Sequence, residues 1–305
     1  MRFRVTAFAS RFFLRHRWAL WAPWIFGVLA VQPAHGQFRN NTIVGFEILN
    51  FRAGDGTKTF LEIFCKYPTD DLIFVKYSGG FFASYKLTVA IEDFAGTVVS
   101  EKSVVDSVKV QTFKEKDLPR SPKLIRFSFM VDPGHYQAVI RWTDLETRKT
   151  LQVAKAITVP DFSRPDLEVS DLQVAASIHP TQEHSILVKN NMKIVPNIPR
   201  IFGPELNVLY VYYEIYNLQY AAADANGEFI TTYIIKDSKG REVRSFKRTF
   251  KKPGTSCAQS AGISVATLEP GPYQLTLIVE DPQSAQRTQK STQFFVVKPA
   301  SQVNL

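Results

Sequence analysis

The chain has 305 residues, 45% of them apolar and 21% charged, with 37 Lys and Arg against 28 Asp and Glu and a formal charge of +9. That much apolar side chain supplies two cores and excludes a largely disordered chain. The positive charge does not imply a nucleic-acid partner, because part of it is confined to the first residues.

Arg2, Arg4, Arg11, Arg15 and Arg17 form a basic stretch without an acid, followed by the apolar run Trp18–Val31 and the small residues of Ala34-His35-Gly36. Together these are the three parts of a secretory signal peptide, expected over residues 1–36. The apolar run is shorter than the ~20 residues that span a bilayer and contains Pro23, so no stable membrane insertion after cleavage is expected. Removing the five arginines leaves 32 basic against 28 acidic residues, a modest and dispersed excess. The expected location is the periplasm, the outer envelope or the extracellular space.

From Phe38 onward strand signals dominate. Alternation with β-branched and aromatic enrichment marks Ile43–Phe51, Lys58–Tyr67, Leu72–Tyr77, Phe81–Asp93, Thr97–Val105, Lys123–Val131, Tyr136–Thr143 and Leu151–Val159. Short strands at this spacing, separated by Gly-, Asp- and Pro-rich turns, predict a first immunoglobulin-like antiparallel β-sandwich over 37–160. Pro160–Pro165 carries two prolines and no alternation, so 161–166 reads as a linker. A second sandwich follows over 167–299, with strands at Leu167–Ser177, Leu187–Val195, Val208–Leu218, Glu228–Asp237, Glu242–Phe250, Gly262–Thr267, Gly271–Glu280 and Gln293–Val297. Residues 300–305 form a polar tail.

The two units share landmarks. Asp132-Pro133-Gly134-His135-Tyr136-Gln137 returns as Glu269-Pro270-Gly271-Pro272-Tyr273-Gln274, and Tyr85–Gly96 answers to Phe229–Gly240. Two landmarks at nearly the same offset indicate a duplicated domain. The first has a mechanical explanation: Pro fixes one corner of a tight turn, Gly takes a positive φ, and Tyr lays its ring against the sandwich.

Chemistry is scarce. His135, His179 and His184 match no metal-ligand spacing, and no H-E-x-x-H, G-x-S-x-G or phosphate-cradling glycine loop occurs. The paired acids Asp70-Asp71 and Glu280-Asp281 lie at strand ends. No catalytic, cofactor-binding or metal site is expected. Cys65 reads as a core thiol and Cys257 as part of a Gly-, Ser-, Thr- and Ala-rich loop, with a disulfide between them left open.

The segment Lys189–Tyr220 is the best functional candidate. A stiff connection holding Pro196, Pro199 and Pro204 feeds the strand Val208–Leu218. Alternation puts Leu209, Val211, Tyr213 and Ile215 on a core face, and Tyr210, Tyr212, Glu214 and Tyr216 on the other. Tyrosine gives contact area at low entropy cost and suits a partner surface, although the same row could pair across strands or pack beneath the proline-rich connection. The expected interaction face is Tyr210, Tyr212 and Tyr216, with Arg200 on the adjacent connection.

The run V-P-N-I-P-R-I-F-G followed by L-Y-V-Y-Y-E-I-Y-N-L resembles the β-rich portion of bacterial G-W-x-T-D (GWxTD) domain-containing proteins, which are exported. The Gly-Trp-x-Thr-Asp motif itself is absent, so the resemblance is to the β-rich portion. It implies β-sandwich architecture and an envelope location. The resulting expectation is an exported, non-catalytic adaptor that binds another envelope or extracellular protein. The alternative is a glycan-binding accessory module of a secreted hydrolase system, in which exposed aromatics stack on sugar rings; against it, Trp142 is the only tryptophan beyond residue 36.

Overall fold

The computed structural model describes residues 45–54, 56–67, 72–112, 114–115, 123–221 and 227–298. All of them belong to one compact unit, Asn40–Leu305. The expected signal segment and polar tail lie outside the described residues. The chain is all-β, and among the described residues there is no α-helix.

The first sandwich comprises β1 (Gly45–Arg52), β2 (Thr59–Tyr67), β3 (Val75–Tyr77), β4 (Gly80–Glu92), β5 (Val98–Val110), β6 (Lys123–Val131), β7 (Gly134–Asp144) and β8 (Thr150–Val159). One sheet has the order β1-β2-β6; in the other, β4 lies between β5 and β7, with β8 beyond β7 and β3 also paired to β4. Then come β9 (Glu168–Val169), β10 (Gln173–Pro180), β11 (Val188–Lys189), β12 (Met192–Pro196), β13 (Ile201–Phe202), β14 (Val208–Tyr216), β15 (Glu228–Asp237), β16 (Glu242–Lys251), β17 (Ser256–Ser264), β18 (Gly271–Asp281) and β19 (Gln286–Val296). These form the sheets β11-β12-β10-β14-β17, with β9 on β14, and β13-β19-β18-β15-β16. Every pairing is antiparallel except β13 with β19.

Three apolar cores separate four sheets. Leu61, Ile63, Cys65, Leu87, Phe127 and Ile140 help fill the first sandwich, and Val211, Tyr213, Tyr233, Leu277 and Phe294 the second. The third core lies between the sandwiches and joins Leu49, Phe51 and Phe64 to Ala175, Ile194, Ile198 and Tyr212. The central strands of the two middle sheets are therefore buried on both faces. That is why β2 and β14 read as almost continuous apolar runs, T-F-L-E-I-F-C and V-L-Y-V-Y-Y-E-I-Y, rather than apolar–polar alternation.

The duplicated landmarks match in detail. Asp93 follows the last residue of β4 and Asp237 is the last of β15, each just after a β-bulge, at Ile91/Glu92 and Ile235/Lys236. In each turn the aspartate Oδ1 accepts two backbone N–H groups, from Ala95 and Thr97 in one and from Lys239 and Arg241 in the other. Gly96 and Gly240 close these turns at φ 85° and 76°. The hydroxyls of Tyr136 and Tyr273 donate back to the carbonyls of Asp132 and Glu269, at 3.1 and 2.7 Å, which is a tyrosine corner. One expectation is corrected: Gly271 has φ 153°, but Gly134 has no positive φ. What Gly134 provides is room, since a Cβ there would lie 3.2 Å from the Tyr136 ring.

Strand ends differ from expectation where polar or small residues form strands by pairing alone. The last hairpin strand begins at Gln286, because its alternate polar residues lie on an outer sheet face while Thr292, Phe294 and Val296 point inward. Cys257 lies in β17 rather than in a loop, since Ser256–Ser264 forms a nine-pair ladder with β14. Both cysteines are free.

The corner hydrogen bond of the second copy is the more buried of the two. Tyr273→Phe is expected to lower unfolding free energy by about 1 kcal/mol and Tyr136→Phe by less, measured by urea denaturation.

Candidate functional site

Strand β14 faces the second core with Leu209, Val211, Tyr213 and Ile215, and the opposite face carries Tyr210, Tyr212, Glu214 and Tyr216. That second face is not open to a partner. It lies against the first sandwich, and Tyr212 and Tyr216 retain 0% and 3% of their accessible surface. The physical reason is on β1 and β2, whose outward positions Leu49, Phe51 and Phe64 are apolar and need cover. β17 makes room for the row by setting Gly262, Ser260 and Ala258 opposite Tyr210, Tyr212 and Glu214.

Glu214 organises the row. Its Oε1 accepts hydrogen bonds from the Tyr212 hydroxyl (2.5 Å) and Asn190 Nδ2 (3.2 Å), and its Oε2 accepts from the Tyr216 hydroxyl (2.8 Å). The Tyr216 oxygen also accepts the backbone N–H of Arg52, across the seam, at 3.0 Å. Burial first, and the Glu214 charge second, push both phenols above the ordinary tyrosine range. They are fixed hydrogen-bond donors, not acid–base groups at neutral pH. Arg52 stacks 4.5 Å over the Tyr216 ring, and Phe162, from the expected linker, meets that ring edge-on.

Beside this row lies an ion pair that the sequence analysis did not single out. Lys189 Nζ donates to Glu62 Oε2 at 2.7 Å and sits 3.8 Å from the centre of the Phe51 ring and 4.8 Å from that of Tyr212. Arg126 takes the other Glu62 oxygen at 3.2 Å. Burial lowers the Lys189 pKa, and the Glu62 charge opposes the shift. The available signal was a carboxylate interrupting an apolar strand, Phe60-Leu61-Glu62-Ile63-Phe64, where burial on both faces demands a cationic partner.

Arg200 belongs to a different network. At φ 54° it turns the chain from β12 into β13. Its Nη2 donates to Glu47 Oε1 at 2.9 Å and its Nη1 to Thr292 Oγ1 at 2.7 Å. Glu47 is buried, and desolvation raises its pKa to about 7 although Arg200 pulls it down. Asp171 accepts from the backbone N–H and Nδ2 of Asn50 and pairs with Lys290 at 2.6 Å. Among the described buried groups without a hydrogen-bond partner are Glu47 Oε2, Asn50 Oδ1 and both amide atoms of Gln173. Above Arg200 and Asp171 opens a polar cleft of ≈ 410 Å³, lined also by Leu49, Gln274, Thr292 and Gln293. Next to it, Ile201 and its register partner Phe295 are 44% and 45% exposed, as is Val297 at 44%.

Of the four residues expected to form an interaction face, Tyr212 and Tyr216 converge on one carboxylate inside the seam. Tyr210 is partly buried against the same core, and Arg200 stands at the cleft. Among the described residues no group of three His, Cys, Asp or Glu could hold a metal, and no helix is long and apolar enough to cross a membrane. Burial pushes the Cys65 thiol up to about 12 and the Cys257 thiol up to about 11.

The fold defines a tandem β-sandwich protein. No protein-family model and no curated protein matches the chain. The chain is similar to the fibronectin(III)-like modules of CbhA from Clostridium thermocellum at 9% identity and TM-score 0.21, over 80% of this chain and 87% of that one. It is also similar to dimeric latent PorU from Porphyromonas gingivalis at 13% identity and TM-score 0.29, over 83% of this chain and 20% of that one.

Lys189→Met strands Glu62 with only Arg126 and is expected to cost about 3 kcal/mol of stability. Lys189→Met combined with Glu62→Gln should recover part of that loss, both read by urea denaturation. Glu47 has a folded pKa above its unfolded value, so the folded state holds the proton longer. Its contribution therefore favours folding below about pH 4.5 and is lost as pH rises toward 7. Denaturation at several pH values should show that decline in the wild type and a flatter profile in Glu47→Gln.

Proposed function

We propose that the chain is an exported, non-catalytic adaptor that presents a rigid pair of β-sandwiches to another envelope or extracellular protein. One observation carries this reading: an exposed apolar cluster lies beside the polar cleft at Arg200, on a pair of sandwiches packed through a buried core. An apolar cluster rimmed by polar side chains suits a protein partner. Ile201, Phe295 and Val297 form the patch, and the cleft beside Arg200 supplies polar rim groups. The tyrosines act behind this surface by holding the two sandwiches in register. The leader-like residues 1–36 and the resemblance to the β-rich portion of GWxTD domain-containing proteins support export and an envelope location.

The test is photo-crosslinking in the native envelope from a probe at Gln293, with a second probe at Lys247 on the far edge of the same sheet. The expected result is one protein captured from position 293 alone. Its purified form should bind the wild type and lose affinity for Phe295→Asp. Equal capture from both probes, or binding indifferent to Phe295→Asp, would place the contact elsewhere.

A further inference from the structure

Strand β5 runs for thirteen residues at the edge of its sheet, hydrogen-bonded to β4 along one side. Among the described residues, no strand pairs with its other side. An edge this long, free of Pro and Gly, is a template for a further strand unless something guards it. The guards in other proteins are outward lysines, or inward charges that a neighbour would bury. Here the inward charges are already engaged on the home side. Lys102 Nζ donates to the Ser128 carbonyl, 5.4 Å from the Phe129 ring centre, and Asp106 accepts from the Tyr85 hydroxyl and from Lys123.

The outward row reads Glu101, Ser103, Val105, Ser107, Lys109, all exposed, with Val105 at 63%. This row is its own complement. An antiparallel copy related by a twofold axis through Val105 sets Glu101 against Lys109, Ser103 against Ser107 and Val105 against Val105. Both ends of the ladder then carry opposite charges, and the centre is apolar, which are the favourable cross-strand pairs. Centring one residue earlier would set Glu101 against Ser107 and Ser103 against Val105, with no pair of opposite charges on the outward face. Glu101 also meets Arg141 of its own sheet at 3.6 Å, a loose and half-exposed contact that leaves the carboxylate open to a second cation. Two other outer strands lack the property: β8 carries Gln152, Ala154, Ala156 and Thr158 outward, without a charge, and β16 carries Lys247 and Lys251 outward with no acid in the same row. We infer that β5 pairs with β5 of a second copy of this chain about a twofold axis at Val105, joining the two outer sheets into one. This inference stands apart from the contact surface proposed above, since β5 belongs to the first sandwich and that surface to the second.

Sedimentation equilibrium of the full chain, from micromolar to near-millimolar concentration, tests it together with charge reversal. Wild type should dimerise. Glu101→Lys and Lys109→Glu should each weaken the dimer by about tenfold or more, because each creates two like-charged pairs. The double reversal should restore it, and circular dichroism should show both single variants folded like the wild type. In a Cys65→Ala, Cys257→Ser background, Val105→Cys should oxidise to a crosslinked dimer, since paired Cα atoms across a ladder lie within disulfide reach. Val153→Cys, exposed on the opposite edge, should not. A monomer throughout, a dimer indifferent to the single reversals, or equal crosslinking from both positions would overturn the inference.

Discussion

The structure depends on a sheet that has no outside. The outer face of β1 and β2, with Leu49, Phe51 and Phe64, would leave three large apolar side chains in water if the first sandwich stood alone. Each contributes about 1.5–3 kcal/mol when fully withdrawn from water. The second sandwich supplies the cover through β10, β12 and β14, and the carboxylates caught in the seam find partners there. Glu62 takes Lys189 and Arg126, Glu214 takes two phenols and an amide, and Glu47 takes Arg200. Such pairs add little net stability over apolar packing, but leaving one member unpaired is costly. They fix which face meets which, and in what register.

Fold class was legible because alternation and turn residues repeat throughout the chain, and because the two copies keep the same local devices. The candidate site was only half legible. Alternation correctly sorted β14 into two rows, since that depends only on the pleat. Alternation does not say what lies beyond the second row, because a tyrosine suits a wet surface as well as a dry seam. The information was elsewhere in the chain, in the apolar positions that β1 and β2 carry on both faces and in the small residues Ala258, Ser260 and Gly262 of β17. Ala258 and Ser260 suggested a loop by composition and Gly262 the start of a strand, yet the small size of all three is what makes room for the tyrosines between the sheets. The ion pair of Lys189 and Glu62 joins residues 127 positions apart, and no local pattern reports such a contact.

The two copies have diverged in their burial of charge. Asp144 and Asp281 occupy equivalent hairpins at the duplication offset of 137, and each accepts a backbone N–H from an earlier segment, from Ile73 and Gln219 respectively. In the second copy Asp281 also holds the buried ammonium of Lys252, which bonds in turn to the Gln219 carbonyl and Gln283. The common scaffold is backbone capping by aspartate. The lysine is an addition in one copy that ties the start of β17's connection to the hairpin after β18.

The turn of residues 197–203 gathers both ends of the described chain. Gly45, at the start of β1, lies against Ile198; Glu47 two residues later binds Arg200; and β19 ends against Arg200 and Phe202 through the amides of Phe295 and Val297. A pull applied at those two ends therefore loads one small region: the Glu47–Arg200 pair, the bonds of Phe295 and Val297 to the turn, and the nearest rungs of β1 on β2 and of β19 on β18.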